Sequence, residues 1–327
     1  MPTYTGISSE AFRHPLDRQA EQALRNVPGF DLVARKFVEF LSERPQFIFQ
    51  MGNSIQVGPR QYANVYQILR ECMRDLDVHP EPDLFVSQNP VVNAYALGQE
   101  HPCMTINTGL LDLLNEAELR SVIAHELGHI KCGHSTLMQM AIWTTMAVSG
   151  LARMTFGFSE LITTGLLVAF YEWLRKAELS ADRASLLVMD DLNPVMCSMM
   201  KIAGGSSNHA HEISLEEFIR QSERYQNLDQ DGLNQIYKFL VYNNLSQGVF
   251  LSHPFTVERV HFLREWAISE EYRQIKAGNY PRAGAEGSVE VEFETNVGTP
   301  PTAQAEVNEL RRQIEELQRE IDRIKRQ

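Results

Sequence analysis

The spacing of apolar residues changes twice along the chain. Residues 17–43 and 59–77 carry apolar side chains at helical spacing, which predicts helices. Between 83 and 107 the pattern becomes short apolar runs punctuated by Pro and Gly, "DLFVSQ", "VVNAYALG" and "CMTINTG", which are typical of the strands of a small sheet. Helical spacing returns after Asn115 and continues to about residue 270. The pattern therefore predicts an α+β fold that is predominantly helical.

Asn115 is predicted to cap the first helix after the sheet, because Glu118 follows three residues later and completes a capping box. Apolar residues continue the helical pattern at Leu119, Val122 and Ile123. Further helices are predicted over 136–152, 161–190, 193–203, 214–227, 231–245 and 254–270.

The composition changes after about residue 280. Residues 281–304 are rich in Gly, Pro and Thr, which predicts a linker. Residues 305–327 repeat in sevens, and the core positions of the heptads are Val307, Leu310, Ile314, Leu317, Ile321 and Ile324. This pattern predicts a C-terminal coiled-coil helix that forms a parallel homodimer. The alternative is an amphipathic helix that packs on its own domain. The main domain is accordingly assigned to residues 1–280.

The size and charge of the chain bear on its partners. It has 327 residues, enough for a large core, and its 42 acidic and 30 basic residues give a formal net charge of -12. The body of the chain contains no Lys/Arg block of the kind that binds a phosphate backbone. Nucleic acid is therefore not an expected partner.

Two sequence features bear on the location of the protein. The four cysteines have no CxxC spacing and the N-terminus has no apolar signal-peptide core, which predicts reduced thiols and a cytoplasmic protein. Residues 136–171 are hydrophobic, but their length and polarity fall short of a membrane-spanning pattern. They predict a buried or interface helical hairpin, and peripheral membrane association through this segment is the alternative.

The stretch "SVIAHELGHIKCGHSTL" carries the candidate chemistry. His125 and His129 stand four residues apart, so on a helix they project from one face and can bind one ion together. Glu126 lies beside them. This is the H-E-x-x-H arrangement, in which two imidazoles hold zinc and the Glu acts as general base on water. The motif leaves the third ligand open.

Three residues are candidates for the third ligand. His134 comes nine residues after His125 and would lie on the opposite face of a continuing helix, so it is expected to cap the helix or line its neighbour. Cys132 is an equally weak candidate. Glu178, in "YEWLRKAELSADRASLL", would come from a second helix and leave a fourth position open for water. Asp182 would then accept a hydrogen bond from one metal-bound His.

The helix that carries Glu178 and Asp182 also has small residues that would let it approach the first helix closely; these are Ala177, Ala181 and Ala184. The alternative for the two carboxylates is an exposed acidic face paired with neighbouring arginines.

Five further segments, taken in order, resemble a known family: "LDRQAEQALRNVPGF", "NSIQVGPRQY", "NAYALG", "TINTGLLDLLNEAELRSVIAHELGHIKCGH" and "SHPFTVERV". With "RKAELSADRA", they resemble the gluzincin metallopeptidases related to the heat-shock protease HtpX and the type-one CAAX prenyl proteases, over roughly residues 16–270. The resemblance implies a zincin core and one Zn2+ per chain. It implies that His125, His129 and Glu178 are the zinc ligands, that Glu126 is the base, and that Asp182 is hydrogen-bonded to one of the ligands.

The resemblance extends to two segments near the cleft. Asn93, Ala94, Tyr95 and Ala96 would pair with an extended substrate through backbone hydrogen bonds, unless they form an ordinary strand of the sheet. His253 would stabilise the oxyanion or bind zinc in a closed resting form, and Arg259 would bind substrate or orient a carboxylate. A structural role for both residues is the alternative.

The predicted function is a zinc-dependent metalloendopeptidase that hydrolyses extended or unfolded polypeptides, with protein quality control as a role suggested by analogy alone. The weak hydrophobic hairpin between His134 and Glu178 departs from the membrane members of the family and argues against prenyl-protein processing. The alternative function is a latent or inactive scaffold dimerised by its coiled coil. An intact Glu126 argues against an inactive enzyme.

Overall fold

The structure is a computed structural model that describes residues 3–40, 44–98, 101–148, 160–230, 232–244, 249–250 and 253–283. Its first seven helices are Pro15–Arg25 (α1), Phe30–Phe40 (α2), Arg44–Asn53 (α3), Ala63–Leu76 (α4), Thr108–Leu113 (α5), Glu116–Lys131 (α6) and His134–Val148 (α7). The later helices are Glu160–Met189 (α8), Leu192–Gly204 (α9), Leu215–Asp229 (α10), Gly232–Tyr242 (α11), Thr256–Ala267 (α12) and Glu270–Lys276 (α13). Short 3-10 helices cover Ser9–Ala11 and Ser207–Glu212.

The strands form a small mixed sheet and a separate hairpin. The sheet contains Ile55–Gln56 (β1), Asp83–Ser87 (β2), Ala94–Leu97 (β3) and Cys103–Asn107 (β4) in the order β1-β2-β4-β3. β2 and β4 are parallel, whereas β1 and β3 pair antiparallel with their neighbours. The hairpin pairs Asn243–Asn244 (β5) with Val249–Phe250 (β6). A mostly helical chain with a small sheet confirms the predicted α+β class.

The core lies between this sheet and the long helices. Every residue of β4 is buried, and α6 buries Ile123, Ala124 and Leu127 between the sheet side and α8. Trp173 on α8 is fully buried. Because both faces of α6 are covered, the side chains of the H-E-x-x-H stretch are held in a rigid environment.

The two central helices approach closely at a glycine. A methyl group added at Gly128 on α6 would lie 2.7 Å from the Cβ of Ala184 and 3.0 Å from the Cα of Ala181 on α8. Real side-chain atoms do not approach this closely, so the spacing of α6 and α8 requires Gly at 128 and small residues opposite it. The predicted close approach through small residues is confirmed.

The start of α6 has the predicted cap. The side chain of Asn115 accepts a hydrogen bond of 3.0 Å from the Glu118 amide, and Glu118 accepts one of 2.9 Å from the Asn115 amide. The three predicted strand segments also correspond to β2, β3 and β4.

The elements that differ from the sequence prediction include the first helical segment and α3. The predicted helical segment 17–43 is divided into α1 and α2, because "NVPG" breaks it and Gly29 adopts a φ of +94°. α3 was not predicted, since its apolar residues do not form one buried stripe. Ile48 and Phe49 on α3 are 62% and 57% exposed.

The N-terminal residues form backbone hydrogen bonds with residues 281–283, at the C-terminal end of the described domain. The amide of Ser8 donates to the carbonyl of Pro281 at 3.0 Å, and the amide of Ala283 donates to the carbonyl of Gly6 at 2.8 Å. Ile7 between them is fully buried. These contacts hold the segment that leads into α1 in place.

Among the described residues, no helix combines the length and apolar character needed to cross a membrane. Residues 149–159 of the predicted hairpin, residues 284–304 of the predicted linker and the heptads at 305–327 lie outside the described residues. The coiled coil, the homodimer and the assignment of domains at 1–280, 281–304 and 305–327 stay predictions.

Candidate metal centre and active site

The two histidines of the motif face each other on α6. His125 and His129 are one helical turn apart, and their Nε2 atoms lie 3.2 Å apart. The side chain of His129 is 3% exposed and that of His125 is 12% exposed. Both rings therefore present the same ring nitrogen to one small, enclosed volume.

Glu178 on α8 completes this arrangement. One of its carboxylate oxygens lies 3.3 Å from Nε2 of His125 and the other lies 3.3 Å from Nε2 of His129. Donors about 2.0–2.1 Å from a tetrahedral ion stand roughly 3.3–3.4 Å apart from one another. The spacing of the three side chains thus fits a tetrahedral metal ion, and they form a potential metal-binding group among the described residues.

The hydrogen bonding of the site also fits a cation. Oε2 of Glu178 is buried without a well-aligned hydrogen bond, although His125, His253 and Arg259 each have a nitrogen within 3.3 Å of it. Burial lowers the pKa of His129 to about 4, which leaves its ring neutral and able to donate a lone pair. A buried carboxylate next to a neutral imidazole is typical of a metal site.

Glu126 lies beside the metal-binding group and has the properties of a proton acceptor. Its side chain is buried, and Oε2 has no hydrogen-bond partner among the residues that the structure describes. Burial raises the pKa of Glu126 to about 7. A carboxylate with a pKa near neutrality can both take up and release a proton at physiological pH.

Asp182 and Arg259 stand behind His125. Oδ1 of Asp182 lies 3.0 Å from Nδ1 of His125, and Arg259 on α12 donates to both oxygens of Asp182 at 2.5 and 2.8 Å. Burial alone would raise the pKa of Asp182, but Arg259 and His125 hold it below its usual value. The ionised carboxylate accepts the Nδ1 proton of His125 and leaves Nε2 directed at the metal-binding group.

His253 lies at the open side of the site. Its side chain is 55% exposed, and Nδ1 lies 3.1 Å from Oε2 of Glu178. The ring therefore reaches from solvent to a metal-binding side chain.

The "NAYA" segment lies at the edge of the sheet. Ala94 to Leu97 form β3, and the carbonyl of Asn93 accepts a hydrogen bond of 3.0 Å from the Asn107 amide. β3 packs beside α6. Ala96 is fully buried, whereas the hydroxyl of Tyr95 accepts a hydrogen bond of 2.8 Å from Gln50.

The other two candidates for third ligand lie outside the metal-binding group. α6 ends at Lys131, and Gly133 takes a φ of +70°, so the chain turns and starts α7 at His134. This turn brings Nδ1 of His134 to 3.0 Å from Nδ1 of His129, on the side of that ring opposite Nε2. Burial raises the pKa of Cys132, which disfavours its thiolate.

Sequence reasoning missed Asp17, which lies behind His134. Oδ2 of Asp17 is 3.0 Å from Nε2 of His134, and the carboxylate is fully buried. The available signal was weak: Asp17 stands seven residues before buried Leu24, so it occupies the buried stripe of α1. An acidic residue on the apolar face of a helix needs a buried partner.

Comparison with known proteins places this geometry in a family. Residues 59–267 match the model of peptidase family M48. The chain belongs to peptidase family M48. As an M48 member it is a metal-dependent peptide hydrolase, which confirms the predicted enzyme class and a polypeptide substrate.

Individual relatives agree with the family assignment. The chain is 33% identical over 276 residues to the plastoglobule-localized metallopeptidase 48, chloroplastic, of Arabidopsis thaliana, covering 83% of this chain and 76% of the relative. It is 27% identical over 241 residues to a protease HtpX homolog of Methylibium petroleiphilum, covering 66% and 78%. A protease HtpX homolog of Polynucleobacter necessarius is 27% identical over 251 residues, covering 69% and 81%. The predicted resemblance to HtpX-like peptidases is confirmed.

Proposed function

We propose that the protein is a zinc metalloendopeptidase in which His125, His129 and Glu178 hold one Zn2+ per chain. The observation that carries this proposal is that the Nε2 atoms of His125 and His129 lie 3.2 Å apart and that each lies 3.3 Å from a different oxygen of Glu178, distances of the size found between neighbouring ligands of tetrahedral zinc. Two imidazoles and one carboxylate with an open fourth position are typical of catalytic zinc. The substrates would be extended or unfolded polypeptide segments.

Glu126 would act as the general base and then as the general acid. When bound, zinc supplies Lewis-acid polarisation of the scissile carbonyl and acidifies the attacking water. Glu126 takes the proton of that water as its oxygen bonds to the carbonyl carbon. It then passes the proton to the amide nitrogen as the C–N bond breaks. The unpartnered Oε2 and the pKa of about 7 support both steps.

Three residues around the metal site have supporting roles in this proposal. Asp182 orients His125, and Arg259 holds Asp182 and Glu178 in place. The side chain of Arg259 is 14% exposed and contacts both carboxylates, so we assign it to their orientation rather than to contact with substrate. His253 is partly exposed beside Glu178, which supports a role in stabilising the oxyanion, with binding to zinc in a closed resting form as the alternative.

The substrate would bind along β3. This strand forms an edge of the sheet and packs beside the helix that carries the motif. An extended peptide could pair with the backbone of Asn93 to Ala96, and the burial of Ala96 indicates that backbone contacts dominate there. Such pairing favours unfolded segments over folded domains.

The cellular location and the partners of the protein are the remaining part of the proposal. A plastoglobule location stands in the name of one relative, and protein quality control follows from analogy with HtpX proteases. For this chain we keep a cytoplasmic location, peripheral membrane association through residues 136–171 and a homodimer through residues 305–327 as predictions.

The test of the proposed function compares Glu126→Gln with wild type and with Glu116→Gln, an exposed glutamate on the same helix. All three proteins are expected to contain one zinc per chain. Casein cleavage should fall about 10²–10⁴-fold in Glu126→Gln and stay at the wild-type rate in Glu116→Gln. Zinc binding without cleavage in wild type would favour the scaffold alternative, and wild-type cleavage by Glu126→Gln would refute the assigned base.

A further inference from the structure

Asp17 on α1 is a fully buried carboxylate surrounded by hydrogen-bond donors. Its Oδ2 accepts from Ser180 Oγ at 2.7 Å and from Arg13 Nε at 2.8 Å, and lies 3.0 Å from His134 Nε2. Its Oδ1 accepts from Trp173 Nε1 at 3.1 Å and from Arg13 at 3.2 Å. Serine could also accept, but the indole and the guanidinium can only donate. The site around Asp17 is therefore built for an ionised carboxylate.

The carboxylate determines which nitrogen of His134 carries the proton. An imidazole with a single N–H donates from one nitrogen and accepts at the other; because Oδ2 of Asp17 can only accept, that N–H of His134 is on Nε2. Nδ1 of His134 is then an acceptor, and it lies 3.0 Å from Nδ1 of His129. His129 must in turn donate from Nδ1, which leaves the lone pair on Nε2 directed at His125 and Glu178.

We propose that Asp17 and His134 form a positioning relay that fixes the tautomer and ring orientation of His129 for metal binding. This inference rests on the proposed function. A metal-bound histidine commonly donates its second nitrogen to a carboxylate, a carbonyl or water. Here a second histidine is inserted between the ligand and the carboxylate.

The position of the relay in the fold supports a role beyond packing. His134 is 1% exposed and lies edge-on between the rings of His129 and Trp173, with centroid distances of 5.2 and 5.6 Å. Its ring therefore has little freedom to rotate. Asp17 lies outside residues 59–267, which match the family model. It is on α1, and the residues that precede α1 are hydrogen-bonded to Pro281 and Ala283. A segment outside the matched region thus orients a residue inside it.

The test measures zinc affinity by competition with a chromophoric chelator in the full-length protein. Asp17→Asn keeps the shape of the side chain but removes its charge and replaces one acceptor oxygen by an NH2 group, so the side chain can no longer accept from all the donors around it and its hold on Nε2 of His134 weakens. The matched control is Asp75→Asn. Asp75 is also fully buried, and it accepts hydrogen bonds from Arg74 and from Arg120 on α6, without contact to the histidines.

Two variants of His134 isolate the acceptor itself. His134→Leu removes the acceptor for Nδ1 of His129. His134→Asn places a carbonyl oxygen close to the position of Nδ1 and so restores an acceptor without the link to Asp17. If Asp17→Asn fails to fold, this pair still tests the relay.

The relay predicts that zinc affinity falls about 10–100-fold in Asp17→Asn and in His134→Leu, and that His134→Asn recovers part of the loss. The visible absorption spectrum of the Co2+-substituted protein should also change in the first two variants, because the orientation of His129 changes. Asp75→Asn should lower the melting temperature yet leave zinc affinity within about twofold of wild type.

Two results would overturn the relay: zinc affinity and cobalt spectra unchanged in Asp17→Asn or His134→Leu, or an equal loss of affinity in Asp75→Asn. These outcomes are distinct from failure of the proposed function. If wild type binds no zinc or cleaves no peptide, the peptidase assignment fails. If wild type binds and cleaves while the variants bind equally well, only the relay fails.

Discussion

The two histidines of the motif are held by different supports. His125 contacts a carboxylate directly, since Asp182 lies 3.0 Å from its Nδ1 and Arg259 fixes Asp182. His129 reaches its carboxylate through a second histidine, in a chain of contacts that ends at Arg13, which precedes α1. Both supports end in a buried carboxylate held by an arginine, but one is direct and the other has an extra link.

The difference has a consequence for the protonation of the metal-free site. Burial opposes protonation of His125, yet direct hydrogen bonds to Asp182 and Glu178 raise its pKa to about 10. His129 has only one of these carboxylates against its ring, and burial lowers its pKa to about 4. His134 thus orients the ring of His129 and at the same time separates that ring from the negative charge of Asp17.

The largest effect is expected from removing Glu178, the residue that both histidines contact. Glu178→Ala deletes the third ligand. The two histidines alone do not provide enough donors to hold zinc tightly, whatever orients their rings. We expect no stoichiometric zinc by elemental analysis after gel filtration, with the helical circular dichroism retained. Zinc bound at one equivalent in this variant would return His134 to consideration as a ligand.

The next prediction compares how strongly the two supports contribute to zinc affinity. Asp182→Asn should reduce zinc affinity more than Asp17→Asn, within the 10–100-fold range of such changes, because Asp182 touches its ligand without an intermediate. The measurement is the same chelator competition at one pH. A larger loss in Asp17→Asn would reverse the proposed order.

A third change disturbs the spacing of α6 and α8, the two helices that carry His125, His129 and Glu178. Gly128→Ala places a methyl group 2.7 Å from Ala184, so α6 and α8 must shift. Overpacking of this kind lowers the free energy of unfolding by about 1–3 kcal/mol. Chemical denaturation of the zinc-free protein checks this value, and Gly52→Ala, at a site with open space around the added methyl, is the control.

The smallest expected effects lie at the two arginines. Arg259→Lys loses the paired hydrogen bonds to Asp182 and one contact to Glu178, whereas Arg13→Lys loses the pair to Asp17. Zinc affinity should fall a few-fold in Arg259→Lys and less in Arg13→Lys. Equal losses in the two variants would show that the extra link in the relay does not weaken the coupling.

The sequence predicted the parts of the site that follow local spacing. His125, Glu126 and His129 lie within one helical turn and a half, and Glu178 with Asp182 forms a second local pair, so helical geometry alone placed them on common faces. The same geometry placed His134 away from the metal because it assumed a continuing helix. Gly133, with its φ of +70°, ends that helix and turns His134 back toward His129.

Asp17 lay beyond the reach of local reasoning. It is 117 residues from His134 along the chain, and the donors around it come from α7, from α8 and from Arg13 before α1, so they meet only on folding. In the fold, likewise, the capped helix α6 and the three strands were predictable from periodicity and turn residues. The exposed apolar helix α3 was not, because its apolar residues follow no buried stripe.

The most direct test of the metal centre is X-ray absorption at the zinc edge of the purified, zinc-loaded protein. The proposed ligand set predicts two imidazole rings and oxygen donors at about 2.0–2.1 Å. A third imidazole would contradict this ligand set in favour of His134 or His253, and a sulfur shell at about 2.3 Å would contradict it in favour of a cysteine.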